Sequence, residues 1–273
     1  MGFVYALIAA GLSLIFGLME IVNFAHGEFL MLAMYAAFFA WALGGLDPVL
    51  ALPLVTVALG ALGWATYHGV IRWVLGGPML AQIFATFGIA VMLRSAAQFL
   101  WGVDFRVIRD PWLGGRVSLG GLFVGLPQLA ASVAALAAFA TLWVFLARSE
   151  TGLALQATAQ DRQAAALMGI DTQRMFALGW VIGAGCVGIA GALLAMFFYV
   201  FPDVGGGFAL LAYVAVALGG FGNVPATLLA GIIVGLVEAF AGLLIAPALK
   251  YAVVFLLYLA VVLWRPQGLL GRF

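Results

Sequence analysis

Charge is what this chain has least of. Asp, Glu, Lys and Arg make up 8% of its 273 residues, where an ordinary globular chain carries about a quarter. Eleven Lys and Arg stand against ten Asp and Glu, a net charge of +1, so no field exists to hold nucleic acid and no charged tail reaches for a partner. Cysteine is nearly absent too. Cys186 lies alone in an apolar run, which excludes an internal disulfide and a cysteine metal cluster and leaves the reading of a small buried hydrophobe. No pair of histidines has ligand spacing, no Gly-rich loop ends in Lys-Ser or Lys-Thr, and no Gly-x-Ser-x-Gly elbow occurs. These absences argue against a self-contained metalloenzyme, ATPase or serine hydrolase, and no metal or cofactor is expected on this chain. No separate cleavable signal precedes the first apolar segment, which is expected to stay in the mature protein.

What the chain has instead is apolar length. At 67% hydrophobic, with a mean hydropathy of +1.23, it cannot hide its apolar surface in a water-soluble fold and belongs in a lipid bilayer. Spanning the hydrocarbon takes roughly 20 apolar residues as a helix. That ruler gives segments near 3–19, 28–44, 49–71, 79–100, 128–147, 176–200, 224–246 and 250–264. A shorter piece, 207–219, either crosses or dips in and returns, since irregular backbone is tolerated at depth where protein or water surrounds it. The expectation is a single all-α, polytopic membrane domain over residues 1–273, with eight or nine transmembrane helices and one or two broken or re-entrant segments.

Turn chemistry falls between the segments, as at Gly44-Gly45, Gly76-Gly77-Pro78 and Pro202 with Gly205-Gly206-Gly207. Only two connections, 101–127 and 148–175, are long enough to meet a soluble partner. Placing the second in the cytoplasm puts Arg72, Arg148, Arg162, Arg174, Arg265 and Arg272 inside and Arg106, Arg109, Arg116 and Lys250 outside, a bias in the usual direction. Small residues four apart, at Gly179 and Gly183, at Ala184, Gly188 and Ala192, and at Gly231, Gly235 and Ala239, mark close helix contacts and predict two central helices.

Three polar features interrupt the apolar background. Asn23, His26 and Glu28 crowd around Gly27 between the first two segments. One reading is local, with Asn23 as a cap and Glu28 in the first helical turn, where the positive dipole end favours a carboxylate. The other makes them the lining of a hydrated pathway, because ionisable groups at membrane depth face a cavity or the bundle interior. A second break runs through Gly219, Gly220, Gly222, Asn223 and Pro225, with Asn223 as the cap and Pro225 in the first turn. Thirteen residues beyond Pro225 comes Glu238, which needs a buried partner or water at that depth, and Arg94 is a candidate partner. Third, in the 148–175 loop, Ser149 or Thr151 can cap a short helix over 153–168 that ends at Gly169, with Asp171 or Thr172 starting the next. Such a helix suits either a groove on a soluble protein or the lipid headgroup layer.

Taken in order, several of these blocks match a known pattern. Gly11-Leu12-Ser13-Leu14-Ile15-Phe16-Gly17 followed by Asn23-Phe24-Ala25-His26-Gly27-Glu28 resembles the opening of the permease subunits of branched-chain amino acid ABC transporters, the H-type subunit in particular. Ala85-Thr86-Phe87-Gly88-Ile89, the run from Ala159 through Gln160, Asp161 and Ala165 to Leu167-Met168-Gly169-Ile170, the stretch Leu218 to Asn223, and Arg265-Pro266-Gln267-Gly268-Leu269 agree in the right order.

The resemblance implies a bacterial inner-membrane importer, not an enzyme. Two permease subunits, identical or homologous, form its pathway; two cytoplasmic ATPase subunits supply ATP and Mg chemistry; and an extracytoplasmic binding protein delivers substrate. The 148–175 loop would then be the cytoplasmic coupling loop, with Gln160, Asp161, Ala165, Leu167, Met168, Gly169 and Ile170 meeting the ATPase. Asn23, His26, Glu28, Asn223 and Glu238 are the candidate pathway residues. Substrates of such systems are small amino acids, or related solutes such as urea and amides. From the residues alone, a self-sufficient carrier that binds a coupling proton at His26, Glu28 or Glu238 is the alternative.

Overall fold

The computed structural model describes residues 1–119 and 122–270; Arg272 falls outside them. Among the described residues eight helices are long and apolar enough to cross a membrane. In chain order the elements are α1 (Gly2–Met19), α2 (His26–Gly44), α3 (Pro48–Thr66) running through a π-turn (Tyr67–Ile71) into α4 (Arg72–Val74), and α5 (Met79–Trp101). A hairpin of β1 (Arg116–Leu119) and β2 (Leu122–Gly125), with Arg116 opposite Gly125, precedes α6 (Leu126–Arg148). Then come the short α7 (Glu150–Gln160) and α8 (Arg162–Leu167), followed by α9 (Thr172–Leu194), α10 (Val204–Gly219), α11 (Val224–Leu244) and α12 (Lys250–Trp264). The all-α, polytopic expectation holds, and the eight long segments read from the sequence correspond to these helices within a few residues at most ends.

α1 and α9 form the centre. Most side chains of both helices are buried, and their backbones come close enough that a Cβ on Gly11 would stand 2.6 Å from the carbonyl of Gly183. α3 lies on the far face of α9, where a Cβ on Gly63 would meet the carbonyl of Trp180 at 2.5 Å. The small-residue ridge predicted for 179–192 is therefore a contact surface on both sides. The second ridge is only partly so. A Cβ on Gly231 would stand 2.6 Å from Ala6 Cα, and one on Gly235 would stand 2.5 Å from Gly2 Cα. Ala239, however, is exposed, because α11 flanks the core through one face and turns Leu236, Phe240 and Leu243 outward.

α10 decides the question of 207–219. Its 16 residues extend about 24 Å at 1.5 Å per residue, less than a full crossing needs. It starts beside the first turn of α2, where a Cβ on Gly205 would overlap the carbonyl of Gly27. It finishes at the end of the bundle where α1 finishes, with Gly222 packed on Gly17.

α2 also begins inside the bundle. His26 Nε2 donates to the carbonyl of Ile8 at 2.9 Å, and Ile8 lies eleven residues, roughly 16 Å, before the last residue of α1. From there α2 runs the other way, so that Gly191 of α9 packs against Leu30 and Ala33. The first turns of two interrupted helices thus face each other at mid-height, and the chain between α1 and α2 doubles back to make this possible. Its reversal starts at Glu20, which adopts a left-handed φ of 57° and whose N–H closes on the carbonyl of Phe16.

Asp47 ties the opposite end together. Its carboxylate caps α3 by accepting from Val49 N–H at 2.9 Å, and it accepts from Trp112 N–H of the long 101–127 loop at 2.7 Å. Loss of such a cap typically costs about 1 kcal/mol. Asp47→Ala should therefore lower the melting temperature by a few degrees and speed tryptic cutting at Arg109 and Arg116. Unchanged cutting would show that another contact holds the loop.

Candidate functional site

The polar residues of the first break assemble at the junction of α2 and α10. Asn23 and His26 are fully buried and Glu28 nearly so. Asn23 is not the helix cap: that position falls to Ala25, which has no capping side chain, and Asn23 Oδ1 instead accepts from Ala25 N–H at 3.1 Å, closing a local turn. Two side chains from other helices hold this segment by its carbonyls. Tyr213 of α10 donates to Asn23 O at 2.6 Å, and Thr86 of α5 donates to Val22 O at 3.2 Å.

Glu28 is bonded to the guanidinium of Arg94 on α5. This corrects the expectation that Arg94 answers Glu238. α5 packs on α2, whereas α11 lies across α1, so the two groups sit on different sides of the core. A third charge belongs to the same cluster. Asp203, at the start of α10, places a carboxylate oxygen 3.7 Å from Arg94 Nε. Sequence reasoning left Asp203 out. The signal was available in its setting, an acid between Pro202 and the glycines 205–207, which parallels Glu28 beside Gly27.

Hydrogen-bonding capacity is left over here. Asn23 Nδ2, His26 Nδ1, Glu28 Oε2 and Arg94 Nε are buried without a hydrogen-bond partner among the described residues. Unsatisfied buried polar atoms are uncommon in native folds and call for an explanation.

Glu238 stands in a separate cluster. Lys250 Nζ donates to its Oε1 at 2.6 Å and Tyr5 OH to its Oε2 at 2.5 Å, joining α1, α11 and α12. Asn223 is elsewhere again. It caps α11 through Ala226 N–H at 3.2 Å, as expected, and its Nδ2 donates to Leu270 O at 3.0 Å. Pro225 occupies the first turn of α11, and Gly220 and Gly222 have left-handed φ values of 103° and 78°. Gly219 has no room for a side chain, since a Cβ there would press on the backbone of Ala226 and Thr227. Of the five candidate pathway residues, the fold brings three together and leaves two apart.

The 148–175 loop forms a second functional candidate. Ser149 caps α7 by accepting from Gly152 N–H at 2.9 Å, and Asp171 caps α9. The single helix expected over 153–168 is divided. Asp161 leaves the helical conformation, and its Oδ1 accepts from Gln163 and Ala164 N–H at 2.8 and 2.9 Å, so that it caps α8. An aspartate that can bond the N–H groups ahead of it restarts a helix more readily than it continues one.

α8 closes at Gly169, with φ 83°, as Ile170 N–H reaches back to Ala165 O at 3.1 Å. Leu155 and Ala165 are buried, anchoring both short helices, whereas Leu167 and Met168 at the tip are 89% and 83% exposed. Beneath α7 lies a cleft of about 1010 Å³ lined by Gln156, Gln160, Gly222, Asn223, Pro225 and Gln267, among others.

A polytopic helical bundle with mid-height helix breaks and an internal charge cluster defines a multi-pass membrane protein with polar groups set inside it. Comparison with known proteins gives the family. Residues 1–262 match the family described as the branched-chain amino acid transport system permease component, and the chain belongs to that family.

It is 32% identical to the high-affinity branched-chain amino acid transport system permease protein BraD of Pseudomonas aeruginosa, over 99% of this chain and 92% of that one. It is 30% identical to the permease protein LivH of Escherichia coli K12, over 100% and 92%. It is also 25% identical to a probable LivH of Methanocaldococcus jannaschii, over 97% and 88%. No solved structure matches. Membership and the eight apolar helices together make the chain a multi-pass protein of the bacterial inner membrane, a permease of the ABC-importer type.

Proposed function

We propose that this chain forms part of the pathway for branched-chain or similar small aliphatic amino acids, working with a second permease subunit, two cytoplasmic ATPase subunits and an extracytoplasmic binding protein. The observation that carries the coupling role is the tip of α8. Leu167 and Met168 stand side by side and exposed at the tip of α8, an apolar pair of the kind a partner's groove covers, and Leu155 of α7 and Ala165 of α8 are buried beneath them. α7 also roofs the cleft whose lining includes Gly222 and Pro225 of the break before α11. ATP and Mg belong to the partner chains.

Leu167→Asp combined with Met168→Asp is expected to leave the subunit folded and monodisperse while reducing its co-purification with the ATPase at least about tenfold, the scale of a lost apolar anchor. Gly169→Val strains the left-handed turn and should uncouple ATP hydrolysis from uptake. Intact, substrate-stimulated hydrolysis in both variants would remove the coupling role.

The kinship with BraD and LivH, whose names specify branched-chain amino acids, supports this choice of cargo. A thermal-shift screen of the binding protein against leucine, isoleucine, valine, urea and short amides decides between amino acids and the neutral solutes. The self-sufficient carrier finds no support. Uptake by the purified chain alone, driven by a proton gradient, would overturn the importer reading.

A further inference from the structure

We infer that Arg94 and Asp203 are the residues that read the two charged ends of an amino acid on its way through the bundle, the carboxylate on Arg94 and the ammonium on Asp203. The inference rests on the importer reading above and adds the site and the charge state of the cargo.

The cluster carries a surplus of charge. Glu28, Arg94 and Asp203 make two negative charges against one positive, at the mid-height junction of α2 and α10. Charged groups at such depth face water or protein, not lipid. Glu28 is the fixed member, its side chain only 3% exposed, and it locks the guanidinium from the protein side. The other two are open, with the side chains of Arg94 and Asp203 40% and 60% exposed. Their mutual distance of 3.7 Å is beyond a hydrogen bond. The pair is therefore loosely engaged, while Arg94 Nε and Glu28 Oε2 have no hydrogen-bond partner among the described residues.

Beyond its loose pairing with Arg94, the Asp203 side chain makes no hydrogen bond among the described residues. The residue occupies the cap position of α10 but its side chain makes no capping bond, and the glycines that follow, Gly206 and Gly207, have open space where a side chain would go. A carboxylate and a guanidinium held a few ångströms apart beside a buried acid, both with exposed side-chain surface, match the separation of charges in a zwitterion. A neutral urea or amide hydrogen-bonds to such groups but brings no opposite charge to either. The zwitterion replaces a weak internal contact with two charge-assisted bonds, one to each end.

The test uses the complete transporter, with both permeases, ATPase subunits and binding protein, in proteoliposomes. Asp203→Asn, a change at an exposed carboxylate, should keep complex assembly by size exclusion while lowering leucine uptake per ATP hydrolysed about tenfold or more, the scale of a lost bond to a charged group. Arg94→Lys keeps the charge that Glu28 needs but loses the planar fork. It should likewise assemble and lose uptake.

Normal uptake ratios in both variants would overturn the site. So would loss of the permease pair on co-purification of Asp203→Asn, because the carboxylate would then be an intersubunit contact. Failure of the importer reading is distinct: in that case the wild-type complex itself would show no ATP-driven leucine uptake.

Discussion

A single methyl group at Gly205 is expected to remove most of the folded protein. Its Cβ would stand 1.9 Å from the carbonyl oxygen and 2.5 Å from the carbonyl carbon of Gly27, and the reciprocal methyl at Gly27 would stand 2.7 Å from Gly205 O and 2.9 Å from Ala209 Cβ. Both obstacles are backbone or short side chains, so neither can swing aside, and relief requires one helix to move away from the other.

Overpacking of a tight core costs about 1–3 kcal/mol, sometimes more, and this contact belongs at the upper end because it joins the starts of α2 and α10. Gly205→Ala should thus give little monodisperse protein in detergent size-exclusion, with a melting temperature well below wild type. Gly206→Ala is the control. No described atom lies within 4 Å of its would-be Cβ, and it should behave like wild type. If Gly205→Ala were as stable as the control, the two first turns would not meet as described.

The second large effect is expected at the other charged cluster. Lys250→Met leaves Glu238 buried with only the Tyr5 hydroxyl. Removing one partner of a buried pair costs roughly 3–5 kcal/mol, since the remaining charge is uncompensated. The lower end applies here because the Lys250 side chain stays 33% exposed.

Replacing the whole cluster by apolar groups, with Glu238→Leu, Lys250→Met and Tyr5→Phe, should restore most of the loss, as exchange of a buried ion pair for hydrophobic contact is often neutral or better. Thermal unfolding of the single and triple variants measures this. A single variant as stable as wild type would show that Glu238 draws its support from elsewhere. Transport by a stable triple variant would further show that Glu238 is a fastener between α1, α11 and α12 and no part of the pathway.

The polar anomalies were equally visible in the sequence, yet their meanings diverged. Asn23, His26 and Glu28 are neighbours in the chain, so any fold that buries one tends to bury all three. Glu238 and Arg94 were paired in expectation only because each needed an opposite charge. The chain offers several such charges, and which one arrives is set by the order in which helices pack around α1 and α9. Asp203 escaped notice for the same reason. One acid beside a Pro and three glycines reads as turn chemistry until a second helix brings a guanidinium to it. Asp161 shows the local limit: apolar spacing over 153–168 suits one helix, but a side chain able to cap the next turn ended it early.

What the sequence determined by itself was the solvent, the eight long apolar spans with the piece at 207–219 left open, the cap at Asn223, the pairs Ser149 or Thr151 and Asp171 or Thr172 from which two further caps are drawn, the left-handed stop at Gly169 and, through ordered motifs, the family. Each of these depends on composition or on residues within a few positions of one another, where lipid partitioning and backbone geometry act without reference to the rest of the chain. Only the tertiary structure decided that α2 and α10 start face to face inside the bundle, that Arg94 serves Glu28 and Asp203, and that Glu238 is held by Lys250 and Tyr5. Those pairings join residues 12 to 233 positions apart. Helix packing in lipid has no strong hydrophobic force to direct it, so shape at a few glycines selects the partners.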